Sequence, residues 1–501
     1  MGLSNKSSVM AIMQETTEGV PVVPAAPADF IALQDGFSLE PSFANLENKE
    51  IKASIGPSKS IIGLEEPKAS ISHYLRHSGV EGQAPNFKQL LRAVFGSEVL
   101  AGTQYPTVAA STVSVVKVGS GIGANFQRGQ ALLIKDPVNG YSIRVVQSVS
   151  GDDITLGFNL LNAPGTGVGL GKACLYKPLN SGHPTLSIWN YRANGGAIEL
   201  IAGVRVTESN FDFGAGDLIN GSYSLDGIQY FFDPIVITSS TSKLDFLDNA
   251  TTRVITLAVK VYKDPVDLAS AIETALNSLG SANTFTCSYS HSTGKFTVTS
   301  TGSTLSLLWN TGANTANSIA TKIGFSTAAD STGALTYTSD NPLNLGAPYS
   351  PSYDNADPLA AKDNELFIGD NTSTAMIHAS KVGFKIGNSK ASIKDVTAVS
   401  GISGSIIKDR KVTVSVSAIM NQYDADKFKR LRAGDNTRFL YNFGTKSGGN
   451  WIPGKCGCLY LPTAVVTSFK PVDNDGLVFV DFDLEAYVDS TGAGEVYLNF
   501  V

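Results

Sequence analysis

Through much of this chain apolar and polar residues alternate one by one, the signature of strands buried on one face. Ala69, Ile71 and Leu75 alternate with polar neighbours, and so do Val414, Val416 and Met420. Near the C-terminus Val478, Val480, Phe482, Leu484 and Ala486 form one face of a strand, while Asp481, Asp483 and Glu485 form the other. Helical spacing is rarer. Pro85 opens a segment with Phe87, Leu90, Leu91, Val94 and Phe95 on one stripe, closed by Gly96. A second helix is expected from Asp264 as N-cap and Pro265 as first residue, with Leu268, Ile272, Ala275, Leu276 and Leu279 as its stripe and Gly280 at its end. The pattern predicts a mainly β protein, β-sandwich or β-barrel, flanked by short helices.

Comparing the chain with itself organises these elements. Glu50–Leu75 overlays Asp395–Met420 without a gap, with identities at Ala53/Ala398, Gly56/Gly401, Ser58/Ser403, Ser60/Ser405, Ile61/Ile406, Ile62/Ile407, Ser70/Ser415 and Ser72/Ser417. Val206–Gly227 overlays Val465–Ala486, pairing Tyr223 with Phe482 and Leu225 with Leu484. After the first strand of the second copy, Asp424, Phe428, Leu431 and Gly434 predict the counterpart of the first helix. The reading is an internal duplication: an N-terminal extended arm over 1–44, a first copy over 45–233 carrying an inserted β module at 107–177, an α+β module over 234–340, a linker over 341–359, and a second copy over 360–501.

Composition narrows the function. Charged residues are only 16% of the chain and the net charge is −6, which argues against a protein that grips nucleic-acid phosphates. Val9–Met13 is too short for a signal-peptide core, and Lys6 stands where a myristoylation signal wants Ser or Thr. No apolar run is long enough to span a membrane. Four cysteines are expected as buried thiols in a reducing cytoplasm. Val20–Ala28, with three prolines, reads as an extended arm able to reach a neighbour.

The constellations that could carry chemistry fall away one by one. Gly165, Gly167, Gly169 and Gly171 precede a strand rather than the helix a dinucleotide loop needs, and Gly119, Gly121 and Gly123 fare the same. His73 and His77 lie on a strand pattern, so zinc is not expected; Cys456 and Cys458 have no second ligand pair nearby. Asp473 and Asp475 before Gly476 resemble the start of a calcium loop, but Leu484 occupies its final carboxylate position. Neither catalytic residues nor a cofactor or metal are expected, and the chain is not read as an enzyme. What stays is the stripe Asp481, Asp483, Glu485, three like charges on one strand face.

Two strand–helix–hairpin copies in this order resemble the tail tube (major tail) proteins of long-tailed bacteriophages. The resemblance rests on Ser60–Leu75 with Pro85–Gly96, on Ala197–Phe232 and on Val412–Val501, above all the run from Ala425 to Phe443. It implies a virion protein whose sheets join into rings. The rings stack into a tube around a tape-measure protein, and distal tail and tail terminator proteins close the ends. Double-stranded DNA then passes through the tube without specific binding and without a membrane role. A duplicated member implies trimers in pseudo-hexameric rings. On that reading Asp481, Asp483 and Glu485 line the lumen, with Ser222, Ser224 and Asp226 at the matched, less acidic positions. The alternatives are a tail-tip or baseplate hub protein of the same lineage and a bacterial surface β-repeat protein.

Overall fold

The computed structural model describes residues 5–52, 55–56, 58–249, 251–354, 356–369, 376–420, 429, 432–474, 476–488 and 494–501. The fold is mainly β; the α-helices described over their full length are α1 (Lys88–Phe95) and α2 (Pro265–Asn277). Eight strands organise the body: β1 (Ser38–Glu40), β2 (Lys68–Tyr74), β3 (Ala197–Gly214), β4 (Asn220–Asp226), β5 (Ala379–Lys394), β6 (Ile402–Ile419), β7 (Asn450–Asn474) and β8 (Leu477–Ala486). They pair antiparallel in the order β1-β2-β4-β3-β5-β6-β8-β7.

The two halves of this sheet are paired alike. In the first, Ser70, Ile71 and Ser72 face Ser224, Tyr223 and Ser222. In the second, Ser415, Val416 and Ser417 face Asp483, Phe482 and Asp481, the same register at the matched positions. Each half also breaks its hairpin ladder with a one-residue bulge, at Thr207 and at Thr467. The bulges correct the gapless overlay: ladder partners place Val206 with Val466 rather than Val465, because the two hairpin turns differ by one residue.

β3 and β7 are long because each serves two neighbourhoods. The first half of β3 lies between Leu186–Arg192 and Gln229–Phe232, and its second half between β4 and β5. β7 first pairs with Thr437–Ser447 and Tyr497–Phe500, then with β8. One large core, including Ile71, Phe211, Tyr223, Phe384, Val414 and Phe482, fills the space beneath both halves. α1 adds Leu90, Leu91 and Val94 to that core and ends at Gly96, whose φ of 99° only glycine adopts readily.

The N-terminal segment differs from the expected arm. Val9–Gln14 is a strand between Leu186–Arg192 and Phe30–Ile31, and β1 belongs to the sheet. Glu15 is buried and accepts from Gly19 N, Thr185 Oγ1, Ser187 Oγ and Gly203 N at 2.8–2.9 Å, tying the segment to β3. The proline stretch is extended but lies against the body, where Trp189 Nε1 donates to Val22 O at 2.8 Å. Apolar residues at Met10, Ala11 and Ile12 explain the difference, since a free arm would leave them in water.

The inserted β module forms a six-stranded sheet with its own core, but the strand Ala173–Pro178, all but its last residue inside the 107–177 boundary, pairs with Gly96–Ala101 and Tyr497–Phe500 in the body. The α+β module also has a separate core around Phe246, Ile272 and Phe296. Asp264 caps α2 by accepting from Asp267 N at 2.8 Å. In the second copy Asp424, Phe428 and Leu431 lie outside the described residues; Lys429, Arg432 and Ala433 are helical.

Candidate assembly surface

One face of the eight-stranded sheet is buried and the other is polar. Alternation decides which is which: Tyr223, Leu225, Phe482 and Leu484 are each no more than 1% exposed in the core. Their neighbours Ser222, Ser224, Asp226, Asp481, Asp483 and Glu485 therefore share the opposite, solvent-facing side. The sequence-predicted stripe and its matched positions thus lie on one continuous surface. That surface is concave. A depression of 540 Å³ reaches from Ser222 on β4 across β3, β5 and β6 to Glu485 on β8, and a second of 610 Å³ lies beside Asp481 and Lys470.

The charge distribution departs from expectation. In the second half the three carboxylates meet lysines from neighbouring strands: Lys411 lies 3.0 Å from Glu485, and Lys470 is the ladder partner of Asp481. Asp483 accepts from Ser468 Oγ at 2.6 Å. Lys381 and Lys385 share this face, and so does Asp409 beside Lys411, so four lysines balance four carboxylates. The first half carries Glu40, Glu208, Asp212 and Asp226 against Lys68 and Arg205, the ladder partner of Asp226. The first half is therefore the more acidic one, the reverse of what Ser222 and Ser224 imply when read alone. Strand-by-strand reading missed the cross-strand neighbours that offset like charges.

The halves are joined where β3 meets β5. Phe211 stacks on Phe384 with centroids 6.1 Å apart, and continues edge-on to Tyr223 at 6.0 Å. Tyr223 in turn stacks on His73 at 5.5 Å. On the concave side Lys385 reaches Glu208 at 2.6 Å and Lys381 reaches Asp212 at 3.6 Å. The lysine pull and a hydrogen bond from Asn210 hold Glu208 below the usual carboxylate range. Sequence reasoning did not find this junction, because β5 and the end of β3 carry no shared motif.

The other candidates are placed apart from this surface. His73 is buried on β2, where it meets Tyr74 O at 3.0 Å and Tyr223 OH at 3.3 Å, and burial lowers its pKa to about 4. His77 lies beyond the end of β2, with its pKa lowered by burial. Cys456 and Cys458 are buried free thiols on β7, and burial pushes Cys456 up to about 12. Among the described residues no three His, Cys, Asp or Glu side chains gather as metal ligands. Gly121 N and Gly123 N are taken by Asp152 at 3.1 and 2.9 Å. Asp473 accepts from Gly476 N at 2.9 Å, an ordinary turn, while Asp475 lies outside the described residues. No described helix is long and apolar enough to cross a membrane. Compared with known proteins, the chain matches no family model and no curated relative.

Proposed function

We propose that this chain is a structural ring-forming protein of a phage tail tube, with the concave polar face turned to the lumen through which DNA passes. The observation that carries the reading is the sheet itself: two four-stranded halves paired in the same register, joined side by side, with the same face polar in both and a depression across their junction. A repeat that continues around an axis closes a barrel and removes its own open edges. Two halves per chain give six equivalent positions from three chains. The opposite, apolar face is already covered by α1 and by the rest of the body, so the polar face is the one left for a water-filled channel.

On this reading the tape-measure protein fills the lumen before DNA does. A mixed face with scattered lysines and a modest acidic excess repels phosphates weakly and offers no cationic groove to hold them. Electron micrographs of the purified full chain test the proposal. Rings or stacked tubes support it, and a chain that stays monomeric at high concentration, while folded, counts against it. A tail-tip or hub protein would form the same ring without stacking into tubes.

A further inference from the structure

The sheet has one junction inside the chain and, among the described residues, leaves the same junction unmet at its two ends. Inside, the edge of β3 from Glu208 to Gly214 is covered by β5. The matching stretch of β7, Ser468 to Asn474, pairs with β8 on one side and with no strand on the other among the described residues. β1, which matches the covering part of β5, pairs with β2 alone among the described residues. We infer that the open edge of β7 is completed by β1 of a second copy of this chain, in the register set by the internal junction. The inference rests on the ring-forming reading above and names the surface that would build the ring.

The register follows from the ladders. Matched bulges equate Asn210, Phe211 and Asp212 with Lys470, Pro471 and Val472. Matched pairs on β2 and β6 equate Ser38, Leu39 and Glu40 with Gly383, Phe384 and Lys385. The internal pairs Asn210–Lys385, Phe211–Phe384 and Asp212–Gly383 then become Lys470 opposite Glu40, Pro471 opposite Leu39, and Val472 opposite Ser38. Lys470 and Glu40 are both exposed, and opposite charges meet.

The backbone agrees with an edge that awaits a chosen partner. Met420 N donates to Val478 O at 2.9 Å, so the Val478 carbonyl points to β6. By alternation Val480 does the same, and Pro471 opposite it directs its backbone away from β8, towards the open edge. A proline there costs no hydrogen bond within the chain, whereas at the covered position the residue is Phe211. Pro471 removes one donor from the external ladder, and Leu39 N–H still has the Pro471 carbonyl to meet. The external junction is thus weaker than the internal one and lacks its stacked ring pair. That discourages pairing with unrelated strands and leaves the Lys470–Glu40 contact to fix the register.

Lys470 and Glu40 would form a non-hydrogen-bonded pair, with Cα atoms about 4.5 Å apart, within disulfide reach. The test places Glu40→Cys and Lys470→Cys in one full-length chain, assembles it under mild oxidation, and reads a non-reducing gel. The expected result is cross-linking between chains that ends at a covalent trimer, with the wild-type chain and each single variant remaining monomeric. Glu40→Cys with Val472→Cys, displaced in register, should cross-link at least about tenfold less. A charge reversal, Glu40→Lys, should reduce assembly, and adding Lys470→Glu should restore it. Rings in micrographs without this cross-link would overturn the register and leave the ring reading standing. A disulfide within one chain would overturn the inference, and a folded chain that forms no rings would overturn both.

Discussion

Phe384→Ala attacks the joint between the two halves of the sheet. The ring is 2% exposed and stacks on Phe211, which passes the contact to Tyr223 and His73. Truncating a buried phenylalanine costs about 3–5 kcal/mol through lost burial and the cavity left behind. If the cost falls on the local opening of the β3–β5 ladder, the opening constant rises by about 10²–10⁴, at about 1.4 kcal/mol per decade. Hydrogen exchange read at Glu208–Phe213 and Val382–Gly387 should therefore lose two to four decades of protection. The hairpin Phe285–Ser290 with Lys295–Ser300 lies over a separate core and serves as the internal reference. Its amides should be unchanged. Equal loss at both places, or none at the junction, would refute the claim that this aromatic row holds the halves together.

Three further outcomes are expected. Replacing Asp481, Asp483 and Glu485 by lysine should leave rings intact and slow DNA release from assembled particles, most at low salt; unchanged release would remove these residues from the lumen. Deleting the α+β module between Asp233 and Asp340, with a short Gly-Ser bridge, should leave rings intact because its core is its own; loss of rings from a folded product would place it in the wall. His73 has a folded pKa of about 4 against an ordinary value of 6.5, so it contributes a penalty as pH falls from about 6.5 to 4, reaching about 3 kcal/mol. The unfolded chain binds more protons in that window, so stability drops on acidification, and His73→Phe should flatten that limb in denaturant titrations at pH 4–7. An unchanged slope would show that another group carries it.

Much of the fold is legible in the sequence because alternation and capping are local. α1, α2 and the strands bearing Ile71, Val416 and Phe482 follow from patterns a few residues long. The repeat of β2 and β6 shows through serines and isoleucines at fixed spacing. Its first strand does not, since Ser38, Leu39 and Glu40 share only their alternation with Gly383, Phe384 and Lys385. The bulge at Thr467 was hidden because Val465 and Val466 are equally apolar, so a one-residue slip cost nothing in similarity. The candidate surface was half visible. The stripe of carboxylates is read from one strand, but the lysines that offset it stand on β5, β6 and β7, and the junction of the halves lies between β3 and β5.

The central claim, that one chain supplies two of six equivalent positions, is tested most directly by counting chains in an isolated ring. Native mass measurement of purified rings, paired with rotational averaging of their images, gives both numbers at once. The account predicts a mass of three times the chain's 52.7 kDa with six similar lobes around the lumen. Six full-length chains around one ring would contradict it, and would make the second half of the sheet a decoration rather than part of the wall.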